Sequence, residues 1–370
     1  MTDRRPLLDK AGGDFYYRVM NQEFVLSAGA PLVEVTRGAC PESLHRGFIA
    51  AVDAEGEVIA RLGAIETRTW YRSAAKPFQT IPILVSGAAE RFALSGRDLA
   101  VITGSHSGEA IHLAPVRAIL DRIGLDESAL RCGPHTPFAE AAAKELRTAG
   151  RTATPLHNNC SGKHAGMLAF ARHLGEATET YLDPNHPIQR QIRIVLARFA
   201  DVPVDDIAIA VDGCSAPVFG LSLEAMARSY AQLVAVRCTD IEPDLAAAAG
   251  RVVLAMIEHP EMVGGTSKRL DTDLMRIARG QIISKVGAEG VQLLGAKPCA
   301  RYPKGLGIAI KIEDGDIRRA RDPVVIETLR QLGLLDAEQI AMLAGYARAT
   351  VLNHRQIEVG EVRTCFKLSS

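Results

Sequence analysis

Two apolar-rich segments broken by turn dipeptides stand near opposite ends of this chain, and they restrict its fold more than any other feature. "GFIAAVDAEGEVIARLG" (47–63) places apolar runs on either side of a Glu-Gly turn, and "GLGIAIKIEDGDIRRA" (305–320) repeats the pattern around Asp-Gly. Both patterns predict β-hairpins. Between them the period is largely helical. "EAIHLAPVRAILDRIG" (109–124) gathers Ile111, Val116, Ile119, Leu120 and Ile123 near one face, and "HPIQRQIRIVLARFA" (186–200) does so with Ile188, Ile192, Val195, Leu196 and Phe199. "IAIAVDGCSAPVFGLSLEAMARSY" (207–230) reads as a short strand, a Gly/Pro turn and a helix, and "LAVITGSHSGE" (99–109) as a buried strand. The expected class is α/β: an antiparallel sheet formed largely by N- and C-terminal strands, with an inserted helical region. A two-domain α/β protein is the alternative. Residues 1–28 have no clear period and read as an N-terminal extension or oligomer-contact arm preceding one unit over 29–370.

Composition narrows the partners. The 370 residues carry 43 acidic and 43 basic side chains, and no basic stripe with interleaved aromatics occurs, so nucleic acid is not an expected partner. No apolar run approaches the ~18 residues of a membrane span, and no apolar h-region follows "MTDRRPLLDK"; a cytoplasmic protein without a membrane partner is expected. The seven cysteines are scattered and odd in number, which makes free thiols the default.

Several short stretches carry chemistry. "RSAAKPFQT" (72–80) holds Ser73 and Lys76 in a Ser-Xaa-Xaa-Lys arrangement. Pro77 fits a helix only in its first turn, which puts Ser73 at or just before the start, one turn from a lysine that could serve as its base. Ser105, His106 and Ser107 in "GSHSGE" and Lys285 in "ISKVGAEG" follow in the chain order of the Ser-Xaa-Xaa-Lys, Ser-Asp-Asn and Lys-Thr-Gly motifs of penicillin-recognising enzymes. A Ser-capped helix and a solvated lysine are the plain alternatives.

"NNCSGKHAGM" (158–167) lacks the glycine and hydroxyl of a phosphate-binding loop, because His157 and His164 stand in those places. It reads instead as a helix start capped by Ser161, with Cys160 at the positive end and Lys163 on the same face. A buried thiol with a solvated lysine, a nucleophilic thiol and part of a metal site all remain open from these residues. "VDGCSAP" (211–217) brings Asp212 and a second thiol, Cys214, in a turn after a strand, and two thiolates suit zinc. In "MVGGTSKRLDTDLM" (262–275), Arg269 could bind a substrate carboxylate in bidentate fashion.

Taken together, "RSAAKPFQ", "GSHSGE", "NNCSGKHAGML", "VDGCSAP" and "SKVGAEG" resemble the class 3, rhizobial-type L-asparaginases from about residue 29 to the end. The resemblance implies a fold like that of serine β-lactamases and glutaminases, a homodimer, and hydrolysis of L-asparagine to L-aspartate and ammonia. It makes Ser73 the nucleophile and Lys76 its base, with Ser105 and Lys285 as a second serine-lysine pair. It further implies one zinc ion per chain held by Cys160, Lys163 and Cys214, with Asp212 supporting them. Arg72 and His164, beside matched residues, are the expected substrate contacts together with Arg269. The backbone N–H of Ser73 is a natural oxyanion donor; no second donor is legible. Another serine-lysine acyl hydrolase of β-lactamase or glutaminase type, and a non-catalytic amino-acid or zinc sensor, are the alternatives.

Overall fold

The computed structural model describes residues 29–236 and 239–369. The extension expected over 1–28 lies outside the described residues. Eleven strands are present among them: β1 Ala30–Arg37, β2 Cys40–Val52, β3 Val58–Leu62, β4 Arg68–Trp70, β5 Ala208–Val211, β6 Pro217–Ser222, β7 Ile282–Val286, β8 Val291–Ala296, β9 Leu306–Ile312, β10 Ala349–Leu352 and β11 Glu358–Thr364. The main sheet runs β10-β11-β1-β2-β9-β8-β7 with β3 paired to β2, and its ladders are antiparallel. N- and C-terminal strands therefore build one sheet and the helical stretch is inserted between them, which is the layout expected from sequence. β4, β6 and β5 form a separate three-stranded sheet.

Alternation along β2 explains why the sheet is covered on both faces. Phe48, Ala50 and Val52 enter one hydrophobic cluster with the inserted helices, while Ile49 and Ala51 enter another with Val324, Val325 and Leu329 of the Asp322–Gln331 helix. On the first face the Leu223–Val234 helix lies very close to β9. A Cβ at Gly307 would stand 1.7 Å from the Ala227 carbonyl oxygen, so a side chain there would push the helix off the sheet. Among the described residues no helix is long and apolar enough to cross a membrane.

Three local expectations are corrected. Residues 99–103 belong to a helix, Gly96–Thr103, not a strand. Ser95 Oγ accepts from Asp98 N while Asp98 Oδ2 accepts from Ser95 N, and this reciprocal cap outweighs the strand-like apolar run. In 305–320 only β9 is a strand. After the turn at Gly315 (φ +79°), the Asp316 carboxylate accepts from Arg319 N and starts a helical segment that leads into Asp322–Gln331. Finally, 207–230 contains two strands before its helix, because residues 212–216 close a tight turn in which Asp212 N donates to Ala216 O. The hairpin at 47–63 forms as expected, with Ile49 opposite Leu62.

Candidate active site

A short 3-10 turn, Arg72–Ala75, runs directly into the Lys76–Val85 helix, with Pro77 in its first turn as its missing N–H requires. Arg72 has φ +50°, a left-handed conformation that is costly for a residue with a side chain and that turns the chain sharply just before Ser73. Ser73 is half-buried and lines a cavity of about 610 Å³, together with Ser105, Asn159, Arg269, Asp271 and Ala288. The cavity lies where β7 ends against this turn: a Cβ on Gly287 would stand 2.8 Å from the Tyr71 carbonyl oxygen.

Lys76, Ser105 and Lys285 are buried and joined in one hydrogen-bonded group. Lys76 Nζ contacts Gly104 O, Asn159 O (3.2 Å) and Ser105 Oγ (3.1 Å). Lys285 Nζ, carried on β7, donates to Ser105 Oγ (2.9 Å) and Val286 O (2.9 Å). The expected direct pairing of Ser73 with Lys76 is absent: among the described residues no hydrogen bond joins them, and the hydroxyl that both lysines hold is that of Ser105. The Lys76 amine is taken up instead by the Gly104 and Asn159 carbonyls and by Ser105 Oγ.

Burial lowers the pKa of Lys76, opposed by Cys160 and assisted by the charge on Lys163. Burial and the neighbouring Lys76 charge lower that of Lys285 well below the ordinary lysine value. These shifts favour amines over ammonium groups, and the contacts are consistent with that state. An uncharged lysine has two N–H groups and one lone pair. If the two carbonyls around Lys76 take its N–H groups, the remaining lone pair faces the Ser105 O–H, which then donates to it while accepting from Lys285.

Behind this group lies a second polar cluster. Cys160, the residue before the Ser161–Leu174 helix, and Cys214, in the turn between β5 and β6, are both buried beside Lys163, whose Nζ donates to Cys214 Sγ (2.9 Å). Hydrogen bonding to Cys214, reinforced by burial, pushes the Cys160 thiol up to about 12. The Cys214 thiol is held well below its ordinary value by Cys160 and, against burial, by Lys163. Burial opposes charge on Lys163, but Cys214, Cys160 and Asp212 outweigh it and raise its pKa. Asp212 Oδ1 accepts from Arg72 Nε (2.8 Å) and Gly213 N (2.7 Å). Among the described residues no three His, Cys, Asp or Glu side chains are placed to hold a metal, so an ion here needs the lysine as third donor. Two adjoining thiols and an amine fit zinc chemically, provided the protons they now share are released.

Other expected contacts fall differently. Arg72 does not line the cavity; its guanidinium is paired with Asp212. His164 is also outside the lining, fully buried with Nδ1 2.6 Å from the Tyr181 hydroxyl, because it points into the helix packing behind the metal-type cluster. Arg269 does line the cavity, but it donates to Ser107 Oγ (2.8 Å), Gly264 O (3.0 Å) and Ser105 O (2.8 Å), which fixes the Ser105 segment. Ser161 is the first residue of its helix and not the cap; its Oγ donates to Leu156 O and contacts His106 Nε2 (2.9 Å).

Sequence reasoning missed Asp271, Asn159 and Ala288. Asp271 sits in the first turn of the Leu270–Ile277 helix, where an acidic residue reads as ordinary complement to the helix dipole. Ser73 and Ala288 both line the cavity, and no hydrogen bond from the backbone N–H of either is present among the described residues. Two such donors are what a developing oxyanion requires.

A buried hydroxyl held by two lysines whose charged forms are disfavoured, next to a cavity lined by a second serine, Ser73, has the components of acyl-transfer chemistry. The L-asparaginase II family model matches residues 33–364, and the chain belongs to that family; it is an amidohydrolase. Comparison with curated protein sequences gives no match. Among solved structures, a probable glutaminase from Bacillus subtilis complexed with 6-diazo-5-oxo-L-norleucine is similar at 13% identity, over 78% of this chain and 84% of that one, with a TM-score of 0.40. Mglu in its glutamate form is similar at 14% identity and a TM-score of 0.41, over 78% of this chain and 61% of its own length.

Proposed function

We propose that the protein hydrolyses the side-chain amide of L-asparagine to L-aspartate and ammonia through an ester on Ser73. Family membership supports the amide chemistry, and the substrate is carried by the motif resemblance. The observation that carries the mechanism is the hydrogen-bonded group Lys76–Ser105–Lys285 beside the accessible Ser73. In this scheme Ser73 Oγ attacks the amide carbon and its proton passes through Ser105 to uncharged Lys76. The carbonyl oxygen, now negative, is met by the N–H groups of Ser73 and Ala288. Collapse expels ammonia, which takes a proton from the lysine-serine group, and water then attacks the ester with the same group as base. A homodimer is carried over from the same resemblance.

Ammonia release from the purified chain tests the substrate. L-Asparagine is expected to exceed L-glutamine by at least about tenfold in kcat/KM, a difference of about 1.4 kcal/mol in transition-state binding. Equal or greater turnover of L-glutamine would overturn the assignment.

Zinc belongs to the same proposal, with Cys160, Lys163 and Cys214 as its protein donors. A zinc ion with three such donors would supply Lewis acidity or a fixed positive charge near Lys76. Elemental analysis of protein purified without added metal is expected to find about one zinc per chain, consistent with three ligands from one protomer. Persistence of that zinc in a Cys160→Ala, Cys214→Ala double variant would place it elsewhere.

A further inference from the structure

Asp271 is a buried carboxylate bonded twice to the strand that carries Lys285 and once to the neighbouring strand β8. Its Oδ1 accepts from Ser284 Oγ (2.7 Å) and Gln292 Nε2 (2.8 Å), and its Oδ2 accepts from Val286 N (2.9 Å). Ser284 and Val286 flank Lys285 on β7, and Gln292 is the β8 residue opposite Val286. Gln292 Nε2 also donates to Ser284 Oγ (2.9 Å), which closes the group.

β7 is the last strand of the main sheet and pairs on one side only, with β8. Its other edge would present an unmatched N–H at Val286 just where the strand must place an amine on Ser105. The Asp271 carboxylate fills that position. An apolar residue would pack there without desolvation cost but could not accept the Val286 N–H or fix the Ser284 side chain, so the buried charge has a specific use.

Resting on the reading given under the proposed function, we propose that Asp271 is a positioning residue that holds the β7 edge so that the Lys285 amine meets Ser105, and that its charge sets how readily that amine takes a proton. The groups facing Lys285 are Lys76 from its helix, Arg269 and Asp271 from the start of the Leu270–Ile277 helix, and Cys160 beside the Ser161–Leu174 helix; Lys76 and Arg269 disfavour its charge while Asp271 and Cys160 favour it. Removing the Asp271 charge leaves the two cations less opposed. The proton is then lost at lower pH.

Asp271→Asn and Ser284→Ala, each in the full chain, test this with two readouts. The first is the titration of Lys285 followed by NMR of ¹³Cε-labelled lysine without substrate, the resonance being assigned by its loss in Lys285→Met. The second is ammonia release from L-asparagine. In Asp271→Asn, Lys285 is expected to titrate at lower pH than in the parent, and kcat to fall about 30-fold with KM within about threefold. Ser284→Ala, which keeps the carboxylate, is expected to lose about threefold or more in kcat without moving the titration. A purely structural role would lower the folded fraction and leave the Lys285 titration where it was; that result, or parent-like kcat in Asp271→Asn, overturns the proposal. If Asp271→Asn does not fold, Ser284→Ala decides, and an unchanged kcat overturns it. If the parent itself releases no ammonia from L-asparagine, the substrate reading fails while the substrate-free titration still decides the role of Asp271.

Discussion

Ser73→Ala is expected to lower kcat/KM for L-asparagine by about 10⁴-fold or more while leaving the chain folded. The loss is large because no other hydroxyl can take over the covalent step at that place. Ser105, the other serine in the group, is held between two lysines and sits deeper, at 2% exposure. The fold should survive because Ser73 is only half-buried and its Oγ makes no hydrogen bond among the described residues, and because alanines already follow it at 74 and 75. Thermal unfolding should therefore shift by no more than the equivalent of about 0.5 kcal/mol. A variant with activity within tenfold of the parent would remove Ser73 from the nucleophile role.

Lys76→Met is expected to cost about 10²- to 10⁴-fold in kcat. Methionine fills much of the same volume, so the effect is chemical: the amine beside Ser105 Oγ is gone, and the proton of the attacking serine has no acceptor on that side. Lys285 remains, but its other contact is the Val286 carbonyl, and it reaches Ser105 from the strand rather than from the helix. This variant should also be less stable, since the Gly104 and Asn159 carbonyls lose a buried donor at about 1–3 kcal/mol each. Kinetics must therefore be normalised to folded protein. A normalised kcat within threefold of the parent would show that Lys285 alone can serve as base.

How far the sequence carried depended on whether an interaction was local. The 47–63 hairpin was legible because a turn and two apolar runs are contiguous, and the 187–200 helix because its apolar residues repeat at helical spacing. The strand expected at 99–103 failed for a physical reason: a short buried run has the same composition in a helix, and only the Ser95–Asp98 cap separates the two. At the site, Ser-Xaa-Xaa-Lys identified both residues but not their partners. The contacts of Lys76 with Gly104, Ser105 and Asn159, and the long-range approach of Lys285 to Ser105, belong to tertiary structure. The same holds for Lys163 and Cys214, which meet only because the helix start at 161 and the β5–β6 turn pack together. Asp271 was invisible because its partners, Ser284, Val286 and Gln292, are ordinary strand residues until the sheet edge is seen to need an acceptor.

The hydroxyl that carries the acyl group can be read directly. Acid quench of the enzyme within its first turnover of L-asparagine, followed by peptide mass spectrometry, is predicted to find an aspartyl ester on the peptide containing Ser73. An ester on Ser105, or a thioester on Cys160, would contradict the account.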